Sequence, residues 1–246
     1  MVASNNGIYN TVGASISGVT NTLTITNPSN TASSAAREII RVGGGTAADP
    51  TINWNVSGVT NFEMGLDNSD SDKLKISQGT VLGTNDTWVM DTSGRRLLPL
   101  QPSFRAYLNG GDNNVTGDGT VYILGTNVAL TEEYDPNSNF NTNGIFTAPV
   151  TGVYIFMGNA LLSGMTAADS AAGFGFIVNA SIYSTTVIKG NLQDIGGGGF
   201  SVSNSLMIKL TANDTVKFYV YATGSTKTCS IIPGIGLTWF SGFLLG

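Results

Sequence analysis

The sequence has no histidine and a single cysteine, Cys229, in 246 residues. Without histidine there is no Ser-His-Asp triad, no histidine-ligated zinc and no imidazole general base. One cysteine excludes an intrachain disulfide and a thiolate metal cluster. Charge is scarce as well. Asp, Glu, Lys and Arg make up 11% of the chain, against about 25% in ordinary soluble domains. The formal net charge is −5 and the pI is 4.5, which argues against nucleic acid as a partner. Long hydrophobic runs are missing too. The longest apolar-rich stretch, Ile235 to Gly246, is too short and too polar to span a bilayer, so no membrane insertion is expected. Met1-Val-Ala-Ser-Asn-Asn-Gly7 has neither a basic nor an apolar leader region, so no secretory signal is expected.

What fills the sequence is uncharged and polar. There are 32 Gly, 29 Thr, 24 Asn and 23 Ser, or 44% of all residues. Thr favours strands, while Gly, Asn and Ser favour turns. The mixture predicts an all-β protein with many tight turns. No Gly-X-Y repeat is present, so collagen is excluded despite the glycine count. A weakly charged, Asn/Gly/Thr-rich surface without disulfides suits a virion surface or another extracellular setting.

The best boundary is Gly94-Arg95-Arg96-Leu97-Leu98-Pro99-Leu100-Gln101-Pro102, which holds two of the seven prolines. It divides the chain into an attachment or strand-donating segment (1–30), a slender β-rich stalk (31–98) and a larger β domain (99–246). Before the boundary, Thr22-Leu23-Thr24-Ile25-Thr26 and Lys73-Leu74-Lys75-Ile76-Ser77 alternate with period two and read as half-buried strands. Glu38-Ile39-Ile40-Arg41-Val42 and Thr87-Trp88-Val89-Met90 are further strand candidates. Ser33 to Arg37 is a weaker helix start. The apolar content here is thin for an isolated fold, and three chains sharing one axial core would remedy that.

After the boundary the strands are richer. Gly152-Val153-Tyr154-Ile155-Phe156-Met157 is apolar on both faces, as expected of a central strand covered on both sides. Phe174-Gly175-Phe176-Ile177-Val178 is similar. Leu206–Leu210 and Val216–Tyr221, joined by Thr211-Ala212-Asn213-Asp214-Thr215, read as a hairpin. An antiparallel sandwich is expected.

Three stretches of this half carry a resemblance. They are Ser103-Phe104-Arg105-Ala106-Tyr107, then Tyr134-Asp135 with Gly144-Ile145-Phe146-Thr147-Ala148-Pro149-Val150-Thr151-Gly152-Val153-Tyr154-Ile155-Phe156, and the closing Phe240-Ser241-Gly242-Phe243-Leu244-Leu245. With Leu206, Leu210, Asn213-Asp214 and Val216 between them, residues 100–246 resemble the C1q-like head of the C1q and tumour necrosis factor superfamily. The resemblance implies a jelly roll and a homotrimer whose last strands lie near the threefold axis. It would place Phe240, Phe243, Leu244 and Leu245 at the trimer interface. The alternative is that Phe240 and Phe243 fill the subunit's own core. The preamble, with Gly65-Leu66-Asp67-Asn68-Ser69-Asp70-Ser71-Asp72-Lys73-Leu74-Lys75-Ile76-Ser77, resembles stalk modules of phage and other viral fibres, and so does Asn114-Val115-Thr116-Gly117-Asp118-Gly119-Thr120, which is similar to bacterial and phage versions of this head.

Few residues point to chemistry. Asp67, Asp70 and Asp72 offer oxygens of the kind Ca²⁺ takes. The plainer reading is a solvated turn, partly neutralised by Lys73 and Lys75. Asp112, Asn114 and Asp118 resemble the front of an EF-hand loop, but Ile123 stands where its closing Glu belongs. Calcium is thus the one cofactor worth testing. Glu132 and Glu133 are adjacent and would point to opposite faces of a strand, so they cannot flank a glycosidic bond. No enzyme is expected. Gly196 to Gly199 lacks the Lys-Ser/Thr of a phosphate loop. Cys229 is expected to be a buried thiol, and Trp54, Trp88 and Trp239 are expected to pack inside rather than stack on sugars.

Two roles fit these expectations. One is a homotrimeric virion fibre, of phage tail or capsid, whose head binds a host-surface glycan or protein. The other is a bacterial extracellular filament or matrix adhesin, assembling with other subunits by N-terminal strand exchange.

Overall fold

The computed structural model describes residues 25–192 and 199–245, and eighteen β-strands lie among them. The first five form one antiparallel sheet in sequence order: β1 (Thr51–Val56), β2 (Thr60–Asp67), β3 (Lys73–Gln78), β4 (Asp86–Met90) and β5 (Arg96–Leu97). The alternation at 73–77 and the apolar run at 87–90 fall on β3 and β4, as the sequence predicts. Residues 38–42 form no strand, and residues 33–37 form no helix. Ile39 and Ile40 stay exposed there, because no neighbouring strand takes up their backbone. Of the predicted strand at 22–26, residues 25 and 26 are exposed coil, and the rest lies outside the described residues.

The remaining strands build a two-sheet sandwich of jelly-roll type. One sheet has the order β10 (Phe140–Asn141), β11 (Ile145–Thr147), β16 (Thr215–Thr223), β13 (Ala171–Val178) and β14 (Ser181–Lys189), with β8 (Tyr122–Ile123) also on β16. The other runs β7 (Asp112–Thr116), β17 (Cys229–Ile232), β12 (Gly152–Ser163), β18 (Trp239–Leu244), β6 (Ser103–Leu108) and β9 (Leu130–Tyr134), with β15 (Phe200–Leu210) on the far edge of β12. From β11 onward the chain changes sheet at five of the seven connections. This alternation lets two antiparallel sheets close one core.

The predicted hairpin is one of these crossings. β15 pairs with β12 along eleven residues, whereas β16 pairs with β11, β13 and β8. Leu210 and Val216 both point into the core from opposite sheets. Burying both across a sandwich forces the strands apart. The link is a turn held by the Asp214 N–H on the Thr211 carbonyl at 3.0 Å. Asn213 sits there at φ 75°, a conformation Asn tolerates better than most residues.

Eight phenylalanines lie in the core: Phe174 and a mutually contacting set of seven, Phe104, Phe140, Phe146, Phe156, Phe176, Phe218 and Phe240. Their rings lie 4.4 to 6.3 Å from neighbours in stacked, tilted and edge-on pairs, geometries that suit the ring quadrupole. Gly158 makes room for them, since a Cβ there would sit 2.4 Å from the Phe218 ring. Phe240 is fully buried at the centre, edge-on to Phe104 at 4.9 Å. Replacing Phe240 by Ala is expected to cost about 3–5 kcal/mol. Guanidinium unfolding of the full chain measures this. A loss under about 1 kcal/mol would mean the ring is not part of a close-packed core.

Candidate functional site

β12 places Tyr154, Phe156, Ala160 and Leu162 in the core and turns Val153, Ile155, Met157 and Leu161 outward. The register carries this outer face across the sheet. Ile155 lies between Met207 of β15 and Phe243 of β18. Met157 lies between Ser205 and Ser241, followed by Arg105 and Tyr134. Asn159 lies between Ser203 and Trp239, followed by Tyr107. Met207 is 65% exposed, Phe243 36% and Tyr134 48%. The expectation that β12 is covered on both sides is therefore met on one side only within the subunit.

Arg105 organises one end of this face. Its guanidinium carbon stands 5.3 Å from the centre of the Trp239 ring, within cation–π range. It also pairs with Glu133 and donates to the Ile235 carbonyl at 2.7 Å. The C-terminal strand is tied down beside it. Leu244 N–H donates to the Pro102 carbonyl at 2.9 Å and Leu245 N–H to the Val153 carbonyl at 2.7 Å. A cavity of 630 Å³ opens next to these residues, lined by Leu98, Leu100, Val150, Leu244 and Leu245 together with the amides of Gln101, Asn137 and Asn139.

The four residues expected at an interface thus separate. Phe240 is corrected: its ring belongs to the subunit's own core and is closed to any neighbour. Phe243 and Leu245 are exposed, and Leu244 is half-buried. Sequence reasoning missed Met207, Ile155 and Trp239. The signal was present, because β12 is apolar at both alternating sets. Trp54 is 51% exposed, and Trp88 and Trp239 are only half-buried. The expected burial of all three tryptophans is corrected accordingly.

The calcium candidates fall at separate contacts in the structure. Among the described residues no group of three or more Asp, Glu, His or Cys is arranged to hold a metal. Where a cation would sit, the Lys75 ammonium lies 2.8 Å from Asp67, 2.7 Å from Asp70 and 3.2 Å from Asp86. Lys73 makes a second contact to Asp70 at 2.8 Å. Asp72 carries no ion pair and takes a left-handed turn conformation at φ 58°. Asp112 lies beside the buried Tyr122 hydroxyl, and neither its Oδ2 nor that hydroxyl has a hydrogen-bond partner. Burial and the Asp112 carboxylate push the Tyr122 phenol up. Asn114 N–H donates to Ser230 at 3.0 Å, and Asp118 accepts from Thr120 N–H at 3.0 Å. These three therefore serve separate local contacts.

Cys229 is a buried free thiol. Burial, with the neighbouring Asp169 carboxylate, pushes it up to about 11, so it is unreactive near neutrality. Of the glycine run, residues 196–198 lie outside the described residues. No helix among those described is long and apolar enough to cross a membrane.

The Lys75 cluster has a definite pH signature. Burial would raise Asp67, but hydrogen bonds from Lys75 and Ser69 and the Asp70 N–H outweigh it and hold the carboxyl below 3.8. Lys73 and Lys75 hold Asp70 low as well. Burial would lower Lys75, but its three carboxylates outweigh this and raise it above 10.5. The carboxylate contribution is complete above the ordinary Asp value and fades as pH falls below about 4. The lysine contribution is complete below 10.5 and fades only in stronger base. Unfolding followed at Trp88 should show a plateau between these limits. Replacing Lys75 by Met leaves the buried Asp67 carboxylate without a counter-charge and is expected to cost about 3–5 kcal/mol. Native-like stability in that variant would show that the cluster is only a solvated turn.

No protein-family model matches the sequence, and no curated protein matches it. Solved structures do. Murine APRIL at pH 8.5 is 9% identical, over 59% of this chain and 99% of that chain, with a TM-score of 0.42. The globular domain of zebrafish complement 1qA protein is 19% identical, over 59% of this chain and 98% of that chain, with a TM-score of 0.39. The jelly-roll assignment itself rests on the strand pairing described above.

Proposed function

We propose that the protein is a homotrimeric structural fibre subunit whose jelly-roll head binds a glycan or protein on a host surface. The observation that carries this is the outer face of the seven-stranded sheet. The head's core is complete without that face, yet the row Met207–Ile155–Phe243 leaves apolar side chains in water. Contiguous apolar patches of this kind mark association surfaces. Self-association through this face gives each fibre three heads. Three weak sites then act with the avidity of a linked set. The uncharged Asn, Ser and Thr surface supports a role in which sugar hydroxyls are recognised and stray charge is ignored. The absent histidine and the paired or buried carboxylates support binding without catalysis. Composition supports placement on a virion such as that of a phage.

Light scattering at micromolar concentration should give three times the 25.5 kDa chain mass. Phe243→Asp should abolish that assembly, whereas a monomeric mass for the native protein would overturn the reading. A glycan array probed with the assembled protein should show a defined set of sugars. Failure to bind glycans or intact host cells would remove the receptor-binding half of the proposal.

A further inference from the structure

We infer that the amino-terminal sheet packs its apolar face against the same face of other copies of this chain. The inference rests on the self-association proposed above but locates a second contact, next to the first.

The two faces of this sheet are reversed from the usual arrangement, in which the apolar side is covered and the polar side meets water. Here the covered side is polar. Glu63, Asp67, Lys75 and Ser77 are buried on it, under a loop that brings Leu82 and Gly83 over the ion cluster. A Cβ on Gly83 would stand 3.0 Å from Asp67. The opposite side carries the row Ile52–Met64–Ile76–Trp88. Trp54 and Phe62 flank it on one side, and Leu66, Leu74 and Met90 on the other. None of these is buried. Trp54 is 51% exposed and Val56 on the same edge strand 59%.

Area decides what can cover it. The four longer strands, at about 4.8 Å spacing and about six residues each, present roughly 400 Å² of flat face. That is already the size of the largest apolar patch on a typical monomer. A stable association needs about 800 Å² from each partner, and the outer face of the head supplies the remainder. The two surfaces are continuous, since Arg96, Leu97 and Leu98 share one groove with Ser103, Phe243 and Leu245. Charge points to the same occupant. Arg96, at the β5 edge, is the one charged residue in the described rows of this face. A like face therefore meets it without repulsion, and it offers no charged handle for a different partner.

The test uses the full chain. Trp54→Glu lies on an edge strand and Val56→Lys near its end, so both spare the single chain's own contacts. Each is expected to raise the concentration at which the assembly dissociates at least tenfold, with the β circular-dichroism signal retained. Trp54 and Trp88 of the assembled protein should be several-fold less quenched by acrylamide than in the unfolded chain. Native dissociation in both variants, or quenching equal to the unfolded chain, would overturn the inference. Phe243→Asp run in parallel separates the two contacts. If it weakens assembly while Trp54→Glu and Val56→Lys do not, this inference fails and the head reading stands.

Discussion

A β-sheet has two faces, and each apolar face must leave water. One chain of this protein covers one face of each of its outward sheets. β12 shows the constraint in a single strand. Its inward set, Tyr154, Phe156, Ala160 and Leu162, is sealed under the phenylalanine cluster. Its outward set, Ile155 and Met157 among them, is as apolar and stays half-buried. At roughly 25 cal/mol per Å² of apolar surface, the outward set represents stabilisation that the single subunit does not realise. The jelly-roll crossings place every core phenylalanine on the inside and leave this residue of the constraint at the surface.

The amino-terminal sheet meets the same constraint with other chemistry. Its covered face is held by an ammonium among three carboxylates, a weak source of net stability but a strong source of registration. Lys75 lies opposite Gly65, whose missing Cβ leaves space on that face; a Cβ there would also strike the Pro50 carbonyl at 2.4 Å. A slip of one residue would put Lys75 and Asp67 among Met64, Ile76 and Trp88 and leave the charges unpaired. The ions therefore fix which face is apolar.

Period and composition made much of this legible. The alternation of 73–77, the apolar runs at 152–157 and 174–178 and the closing aromatic stretch all became strands. Strand partners were less legible, because period two specifies a face and not a neighbour. The link at 211–214 has the composition of a hairpin, yet Leu210 and Val216 belong to opposite walls of one core. The acidic turn misled for a related reason. Asp67, Asp70 and Asp72 are close in sequence, but the group completing the cluster includes Asp86, brought over by β4 pairing. Phe240 and Phe243 differ by an odd number of residues, so one must face in and the other out. That much was available from the sequence; which one faces in depended on the register with β6.

The scarcity of charge now has a structural sense. Many of the few charged side chains are held in the Lys75 cluster, the Asp91–Arg95 pair and the Arg105–Glu133 pair. In the described rows, the apolar face of the amino-terminal sheet carries Arg96, and the outer face of the head carries Arg105 and Lys209 beside its apolar row. Edge and face charges are the usual guard against unwanted sheet association. On the proposed self-association, a chain that keeps so little of that guard on two neighbouring faces, with an ordered core behind each, meets copies of itself through them. Specificity must then come from side-chain relief, from the fit of Trp54, Trp88, Met207 and Phe243 against a facing surface, rather than from ion pairs across it. Such contacts strengthen with the apolar area buried and are little affected by salt.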